Sequence, residues 1–280
     1  MRDVTGRVAV ITGGASGIGR GMAEAFAAAG MKLVLADLDQ ERVALTAETL
    51  ARGGAEVLAA HCDVASQEDV DSLANRALET FGAVHVVCNN AGVAHGGVTS
   101  WASTLAEWRW VVGVNFMGVV HGVRAFAPLL IAQGEGHIVN TASIGGLVTD
   151  AGGPLYAATK HAVVSLSESL FGELRAEAPG VHVSVLCPGF VATELLDSSE
   201  RHAPDGTPSR RSHPMHEAMA ALIARGLPPA RVGELVLAAI REERFWILPH
   251  PDLKPAIRHR LDNVLAERDP IPFRGASRVE

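Results

Sequence analysis

The chain has few cysteines, no long apolar run and no concentrated charge, and each absence excludes a class of protein. Its three cysteines, Cys62, Cys88 and Cys187, are far apart, so their spacing provides neither a disulfide framework nor a zinc site. This usage is typical of a reducing, cytoplasmic compartment. No apolar run approaches the roughly 18 residues of a membrane span, and the N-terminus lacks the apolar core of a signal peptide. We therefore expect no association with a membrane.

Charges of one sign are not clustered either. The 280 residues include 24 Lys and Arg against 31 Asp and Glu, for a net charge of −7. A protein that binds nucleic acid normally carries a basic face, so no nucleic-acid partner is expected. Hydrophobic residues make up 48% of the chain, which is enough for a large core and excludes disorder for most of its length.

Short apolar runs alternate with helix-length segments along the chain. The runs predict strands over Arg7–Thr12, Lys32–Ala36, Glu56–Ala60, Val84–Cys88, His137–Thr141, Val181–Leu186 and Phe245–Leu248. The intervening segments predict helices over Gly17–Ala29, Asp39–Ala51, Ser66–Phe81, Leu105–Ile131 and Pro154–Ala178. Strict alternation, with strands apolar on both faces, predicts a single α/β domain: a Rossmann-like, doubly wound, seven-stranded parallel sheet flanked by helices.

Two later regions depart from this alternation. Residues 197–214 are polar and contain three prolines, which predicts a long loop or substrate lid within a region of about 194–226. A C-terminal extension follows over residues 249–280. Its apolar spacing predicts one more docked helix, with a stripe formed by Leu253, Ile257, Leu261, Val264 and Leu265.

A glycine-rich turn, Thr12–Gly19, follows the first predicted strand and opens the first helix. In a fold of this class, glycines there let the main chain approach a dinucleotide pyrophosphate, which the helix N–H groups bind. The spacing is Gly13, Gly17 and Gly19 rather than the more common G-x-G-x-x-G. An ordinary tight turn between strand and helix is therefore the alternative.

Asp37 lies twenty residues after Gly17, next to the end of the second predicted strand. A carboxylate there accepts hydrogen bonds from the adenosine 2′-OH and repels a 2′-phosphate. No Lys or Arg follows before Arg42, so the sequence favours NAD over NADP. The alternative is that Asp37 or Asp39 only caps the next helix.

The chain contains a single tyrosine, Tyr156, and one of its three lysines, Lys160, follows four positions later. In a helix that spacing puts both side chains on one face, and an ammonium beside a phenol lowers the phenol pKa from about 10. Ser143 follows the fifth strand and belongs to the carboxyl edge of the sheet, where ligands bind in open α/β folds. The alternative is a buried tyrosine with a surface lysine.

These residues are part of a larger set of motifs that resembles the classical short-chain dehydrogenases/reductases. The set spans residues 7 to about 193 and consists of Thr12–Gly19, Asp63-Val64, Asn89-Asn90-Ala91-Gly92, Asn115, Ser143 with Tyr156-x-x-x-Lys160, and Pro188-Gly189. The extended tail is similar to that of a longer subgroup, which includes dehydrogenases of bulky, apolar secondary alcohols of terpenoid, steroid and aryl types.

The resemblance implies four catalytic residues. Tyr156 would exchange a proton with the substrate oxygen, and Lys160 would lower the pKa of that tyrosine and bind the nicotinamide ribose. Ser143 would hydrogen-bond the substrate oxygen, and Asn115 would hold a water in a proton relay through Lys160. Because the hydride passes directly between nicotinamide and substrate carbons, no metal is expected.

The resemblance also implies which residues bind the cofactor. They would contact the adenine, the riboses, the pyrophosphate and the carboxamide of NAD. The set is Gly13, Ser16, Gly17, Ile18, Gly19, Asp37, Asp63, Val64, Asn90, Ala91, Gly92, Tyr156, Lys160, Pro188, Gly189, Val191 and Thr193.

A mostly apolar substrate pocket is expected beside these groups. Candidate lining residues, each of which core packing would explain equally well, are Ile144, Leu147, Val148, Leu155, Phe190, Leu195 and Leu196. We interpret His95 as a partly exposed loop histidine rather than a substrate contact. The lid cations, interpreted as a solvated loop rather than an anion site, are Arg210, Arg211, His213 and His216.

Trp101, Trp108 and Trp110 flank the start of the long fourth helix, and they fit either an aromatic wall or an oligomer contact. The resemblance implies a homodimer or homotetramer in which the fourth and fifth helices form a four-helix interface. Burial within one subunit would give the same apolar pattern.

The sequence therefore predicts an NAD-dependent oxidoreductase that interconverts a bulky, apolar secondary alcohol and its ketone. A 3-oxoacyl-thioester reductase that uses NADPH is a second hypothesis, disfavoured by Asp37 and by the tail. A non-catalytic dinucleotide sensor on the same fold is a third. It is disfavoured because Asn115, Ser143, Tyr156 and Lys160 are all present.

Overall fold

A computed structural model describes residues 1–149, 153–209, 211 and 213–271. The strands, in chain order, are β1 (Val8–Thr12), β2 (Lys32–Asp37), β3 (Val57–His61), β4 (Val86–Asn89), β5 (Gly136–Thr141), β6 (Val181–Leu186) and β7 (Trp246–Ile247). All pair in parallel in one sheet, in the spatial order β3-β2-β1-β4-β5-β6-β7. The predicted Rossmann-like, doubly wound sheet of seven strands is confirmed.

Helices connect the strands and cover both faces of the sheet. They are α1 (Gly17–Ala28), α2 (Gln40–Arg52), α3 (Gln67–Phe81), α4 (Leu105–Val112), α5 (Gly118–Gln133), α6 (Pro154–Glu177), α7 (Leu195–Arg201), α8 (Pro214–Ala224), α9 (Pro229–Glu242) and α10 (Lys254–Leu265). A π-helical turn, Gly113–Met117, joins α4 to α5. The sequence predicted one uninterrupted helix there.

Neighbouring residues of one strand belong to opposite cores. Ile11 packs with Met22 and Phe26 on one face of the sheet, whereas Val10 packs with Phe126 on the other. Side chains alternate across a strand, so a strand covered on both faces needs apolar residues at every position. This is why the strands could be recognised as unbroken apolar runs.

The helices α1 and α9 approach each other through glycines. A methyl group on Gly233 would lie 2.1 Å from the carbonyl oxygen of Gly21, and one on Gly21 would lie 2.2 Å from that of Pro229. The two backbones therefore touch, and α9 buries Val232, Val236 and Ile240. The sequence analysis did not predict α9.

The lid region differs from its prediction, because two helices occupy much of residues 194–226. Helix α7 fills the first part of the segment predicted as a loop, and α8 follows it. Thr207 and Ser209 lie in the irregular stretch between them.

The C-terminal extension contains the predicted helix, but its apolar stripe does not dock. Leu253 is buried and Ile257 is half-buried, whereas Leu261, Val264 and Leu265 are exposed, the last by 84%. The prediction of a stripe packed inside the subunit is therefore wrong for three of its five residues.

The helical stretch Leu105–Gln133 is the one described segment that is long and apolar enough to cross a membrane. Part of it is buried inside the protein, where α5 packs against β4, β5 and α3. An internal helix passes the same test of length and composition, so this stretch gives only weak support for a membrane span.

Candidate active site

One large cavity lies at the carboxyl ends of the strands, where the strand order reverses between β1 and β4. Its volume is about 970 Å³. It brings together almost every site residue predicted from the sequence. Of the residues predicted to be catalytic or to bind the cofactor, Gly19 and Asn115 are the two that do not line it.

The glycine-rich turn forms one wall of the cavity. Gly13 and Gly17 have φ angles of +65° and +52°, which residues with side chains rarely adopt. Gly19 supports the turn from behind, because a methyl group there would lie 2.0 Å from the carbonyl oxygen of Gly13. Ser16 precedes α1 without a capping bond from its side chain to a described residue. The first turn of α1 therefore presents N–H groups for an anion.

Asp37 lies at the far end of this wall. Its carboxylate accepts hydrogen bonds from the N–H groups of Ala15, at 3.0 Å, and Asp39, at 3.1 Å. The capping residue of α2 is Asp39, whose side chain accepts from the Arg42 N–H. Asp37 thus lines the cavity, and Asp39 rather than Asp37 caps α2.

The turn after β4 is tied to β1 by Thr12, the first residue of the glycine-rich motif, for which no separate role was predicted. The Thr12 hydroxyl accepts from the N–H groups of Asn90 and Ala91 at 2.9 and 3.1 Å. The amide of Asn90 donates to the Thr12 carbonyl at 2.9 Å. These bonds fix Asn90 and Ala91 in the cavity wall, which Gly92, Asp63 and Val64 also line.

The catalytic candidates Ser143, Tyr156 and Lys160 share the cavity. Ser143 follows β5, and its hydroxyl accepts from the Gly145 N–H at 3.1 Å. Tyr156 is in the first turn of α6, and the Nζ of Lys160 lies 5.6 Å from the centre of its ring. The Lys160 ammonium is nearly enclosed, with 3% of the residue exposed, and donates to the Thr141 carbonyl at 2.9 Å.

Burial shifts the ionisation of this pair. It raises the pKa of the Tyr156 phenol, and a hydrogen bond from Ser143 offsets part of that rise. Burial also lowers the pKa of Lys160 to about 8. The pKa of Tyr156 is therefore raised, whereas the neighbouring Lys160 predicted a lowered pKa. Desolvation of the buried phenol outweighs the other effects.

Asn115 lies in the π-helical turn, fully buried behind the cavity wall. Its Oδ1 accepts from the Val93 N–H at 2.8 Å, and its Nδ2 donates to the Val93 carbonyl at 2.9 Å. A methyl group on Gly92 would lie 3.3 Å from this Oδ1 and 3.5 Å from the Lys160 Nζ. The side chains of Asn115 and Lys160 therefore both lie close to the position that a side chain on residue 92 would occupy.

The rest of the cavity is mostly apolar. Of the predicted lining residues, Ile144, Val148, Phe190, Leu195 and Leu196 face it. Leu147 and Leu155 do not, since both pack within the core of the described chain. Helix α8 contributes apolar lining residues that the sequence did not single out, namely Met215, Met219, Leu222 and Ile223.

His95 is a loop residue of intermediate exposure, as predicted, but it also lines the cavity. Its side chain is 4% exposed, and its Nε2 lies 3.1 Å from the carboxylate of buried Glu107. Glu107 is fixed in turn by the N–H of Thr104, which caps α4. No sequence pattern signals this pair, because His95 lies in a loop and Glu107 on α4, and only tertiary packing brings them together.

Arg211, His213 and His216 of the lid region line the cavity, and the first two are engaged within the lid region itself. Arg211 pairs with Asp197 at 3.1 Å and with Glu200, and His213 caps α8 by accepting from the Met215 N–H. Arg210 lies outside the described residues. Of the three tryptophans near α4, Trp101 is 87% exposed, whereas Trp108 and Trp110 pack beside Val111.

The chain is similar to known oxidoreductases over nearly its whole length. Residues 7–204 match the short chain dehydrogenase family. It is 36% identical to a 1-deoxy-11-beta-hydroxypentalenate dehydrogenase of Streptomyces exfoliatus, covering 92% of this chain and 88% of that one. It is 34% identical to a CLA biosynthesis dehydrogenase/reductase of Lactiplantibacillus plantarum, covering 96% and 97%.

A solved structure shares the fold in detail. It is a short chain dehydrogenase/reductase of Burkholderia phymatum in complex with NAD, 44% identical, with a TM-score of 0.93 over 98% of this chain and 99% of that one. The family match, the identities and the shared sheet agree with the motifs that meet in the cavity. The chain belongs to the short chain dehydrogenase family and is an oxidoreductase of that type.

Proposed function

We propose that the protein is an NAD-dependent dehydrogenase that interconverts a bulky, apolar secondary alcohol and its ketone. The observation that carries this proposal is the continuity of one cavity. It runs from the glycine turn and Asp37, past Ser143, Tyr156 and Lys160, to the apolar face of α8. A dinucleotide and a substrate of some size fit such a cavity together.

The residues of the chain fit NAD. The uncapped start of α1 suits a pyrophosphate, and the anchored Asp37 carboxylate suits two ribose hydroxyls while repelling a 2′-phosphate. The 44% identical relative from Burkholderia phymatum was solved with NAD, which supports this choice. The seventeen cofactor residues implied by the family resemblance fall around the same cavity, with Gly19 supporting Gly13 from outside.

Each catalytic side chain has a task that its surroundings explain. The Tyr156 Oη takes the proton of the substrate alcohol during oxidation and returns one during reduction. The Ser143 Oγ hydrogen-bonds the substrate oxygen beside it. The Lys160 Nζ places a positive charge near the phenolate that forms. Bound NAD supplies the acceptor for the hydride that leaves the carbinol carbon.

We assign Asn115 a positioning role. Both polar atoms of its side chain bond the main chain of Val93, so it fixes the loop that contains Gly92 and His95. The water relay through Lys160 stays a prediction, because no described contact tests it.

The two alternative functions are less well supported. A reductase that prefers NADPH would have to accommodate a 2′-phosphate beside the Asp37 carboxylate. A non-catalytic sensor would have no use for an intact Ser143, Tyr156 and Lys160 set in one cavity.

The experiment is a direct assay of the purified protein with NAD and bulky secondary alcohols at about pH 9, followed by the absorbance of reduced nicotinamide. The panel contains terpenoid, steroid and aryl carbinols, with short linear alcohols and 3-hydroxyacyl thioesters as comparison classes. Faster turnover of one bulky class supports the proposal. A protein that binds NADH but turns over only thioesters, or nothing in the panel, contradicts it.

We further propose a homodimer or homotetramer in a reducing, cytoplasmic compartment. Exposed apolar side chains on α10, at Leu261, Val264 and Leu265, support an interface between copies. Cys62, Cys88 and Cys187 are buried and free, which fits a reducing environment. Light scattering should give a mass that is a multiple of 29.3 kDa, and a monomer would contradict the oligomer.

A further inference from the structure

An arginine lies on the cofactor wall of the cavity, five residues after Asp37. Arg42 is in the first turn of α2 and lines the cavity beside Asp37, Leu38 and Asp39. Its backbone N–H is used by the helix cap, but its side chain takes no part in capping. The guanidinium is therefore the first cation that follows, in sequence, the carboxylate that is expected to choose between NAD and NADP.

This guanidinium is held by a residue of the lid region. The Arg42 Nη1 lies 3.0 Å from the Oε2 of Glu194, which directly precedes α7. The Nη2 of Arg201, on α7, lies 3.6 Å from the same oxygen. The arginines lower the pKa of the Glu194 carboxyl, so this group is ionised at neutral pH. The pair joins two elements that are 152 positions apart in the chain.

The other cation of this corner is engaged as well. A second cavity of about 450 Å³ adjoins the first and is lined by Ser16, Arg20, Arg42 and Glu194. Arg20 pairs with Glu24 on α1 at 2.8 Å. Among the described residues, each arginine of this corner thus has a carboxylate partner, while Asp37 and Asp39 add negative charge. A 2′-phosphate placed here would meet acidic groups, and each described arginine nearby is already paired with a carboxylate.

We infer that Glu194 helps to select NAD over NADP by holding Arg42 away from a 2′-phosphate. Arg42 released from Glu194 would offer its guanidinium, a preferred partner of phosphate, at the mouth of the ribose subsite. The inference rests on the proposed preference for NAD and adds a specificity-determining residue outside the glycine turn and Asp37. It also makes cofactor choice depend on the placement of the lid region.

The expected effect is moderate. The Arg42 side chain is 35% exposed, and exposed ion pairs of this kind contribute little to stability. Losing the Glu194 charge also removes one repulsive contact with the phosphate dianion. We therefore expect an improvement of NADPH binding of about three- to tenfold, with much less change for NADH.

The test compares NADH and NADPH dissociation constants by fluorescence titration, which needs no substrate. The variants are Glu194→Ala, Arg42→Met and the double variant. The matched control is Glu234→Ala, since Glu234 also pairs with an exposed arginine, Arg231, but lies on α9 away from both cavities. Glu194 makes no capping bond from its side chain to described residues, so alanine there leaves α7 intact.

The inference predicts that Glu194→Ala tightens NADPH binding, that the double variant loses most of this gain, and that Glu234→Ala has no effect. The gain should shrink as salt is added, because it is electrostatic. An unchanged ratio of NADPH to NADH affinity in Glu194→Ala overturns the inference. A gain that survives undiminished in the double variant also overturns it, since direct repulsion by Glu194 would then account for the whole effect. A wild-type protein that fails to bind NADH would instead refute the proposed function, and this inference with it.

Discussion

At the scale of single residues, the buried ammonium of Lys160 destabilises the folded protein. Its ammonium is almost wholly enclosed, and burial lowers its pKa to about 8 from the ordinary value of 10.5. The folded state therefore binds the proton less tightly than the unfolded chain does. Between about pH 8 and 10.5 the unfolded chain holds a proton that the folded chain lacks, so stability from this group rises with pH.

We expect Lys160→Met to stabilise the protein without cofactor at neutral pH, because it removes a buried charge. The difference from wild type should narrow as pH rises from 8 towards 10, where the wild-type lysine becomes neutral in the folded state. Urea unfolding at several pH values measures both trends. Activity should fall sharply in the same variant. The prediction is wrong if Lys160→Met is less stable than wild type at pH 7 and the difference in unfolding free energy is the same at pH 10.

Tyr156→Phe removes one oxygen from the cavity and keeps the ring. We expect turnover to fall by a factor of about 10² or more, while NADH binding stays nearly unchanged. Because burial raises the pKa of the wild-type phenol, alcohol oxidation should accelerate with rising pH through the alkaline range. Initial rates from pH 6 to 10 provide the check. A flat profile, or a fully active phenylalanine variant, would remove Tyr156 from the acid–base step.

At the scale of elements, the contact between α1 and α9 depends on the absence of two side chains. Gly21 and Gly233 let the helices touch along their backbones, and α1 begins at the glycine turn. The position of the cofactor wall is thus set partly by a helix about two hundred residues away in sequence. Packing of this kind leaves no room for even one methyl group.

Gly233→Ala should therefore destabilise the protein by about 2 kcal/mol or more, since the methyl group would meet the Gly21 carbonyl. Gly172→Ala in α6 is the matched control, because a methyl group there meets nothing within 4 Å. The control should be neutral or stabilising by about 0.5–1 kcal/mol, the helical preference of alanine. Thermal unfolding of the two variants separates the outcomes. Equal losses in both would mean that helix contact is not the cause.

How far the elements could be predicted follows from what each one buries. Strands such as β1 and β6 are covered on both faces, so their apolar runs located them within one or two residues. Helix α7 has seven mostly polar residues, and its sequence resembles that of a loop. Helix α8 presents its apolar side chains to a cavity instead of a core, so no burial pattern marks it.

At the scale of the whole molecule, the sheet explains why the site was largely predictable. Parallel strands bring their carboxyl ends to one edge, so motifs that follow β1, β4, β5 and β6 had to meet. The pairs Arg42–Glu194 and His95–Glu107 could not be foreseen. They join loops and helix ends whose relative placement depends on tertiary packing, which the sequence pattern does not encode.

The sheet also makes the whole fold sensitive to acid. His85, His137 and His182 lie side by side across β5 and its neighbours, and burial lowers the pKa of each, that of His137 to about 3. Their unfolded forms gain protons below about pH 6.5, whereas the folded forms resist, so stability falls as pH drops from 6.5. The denaturant midpoint of the wild-type protein should fall as pH is lowered from 7 to 4. The midpoint of His137→Gln should fall less steeply over the same range. If the midpoint falls equally steeply with pH in the two proteins, carboxylates and not these histidines govern acid unfolding.

The lone tyrosine of the chain, in the position proposed to be catalytic, has a practical consequence. Because no other phenol exists in the chain, the near-ultraviolet tyrosinate band of the intact protein belongs to one oxygen atom. Biosynthetic incorporation of fluorotyrosine would likewise place a single fluorine beside the Lys160 ammonium, giving one resonance for magnetic resonance spectroscopy. The single phenol therefore reports on one site. Protonation of the Tyr156 oxygen becomes observable during ligand binding without a label elsewhere in the chain.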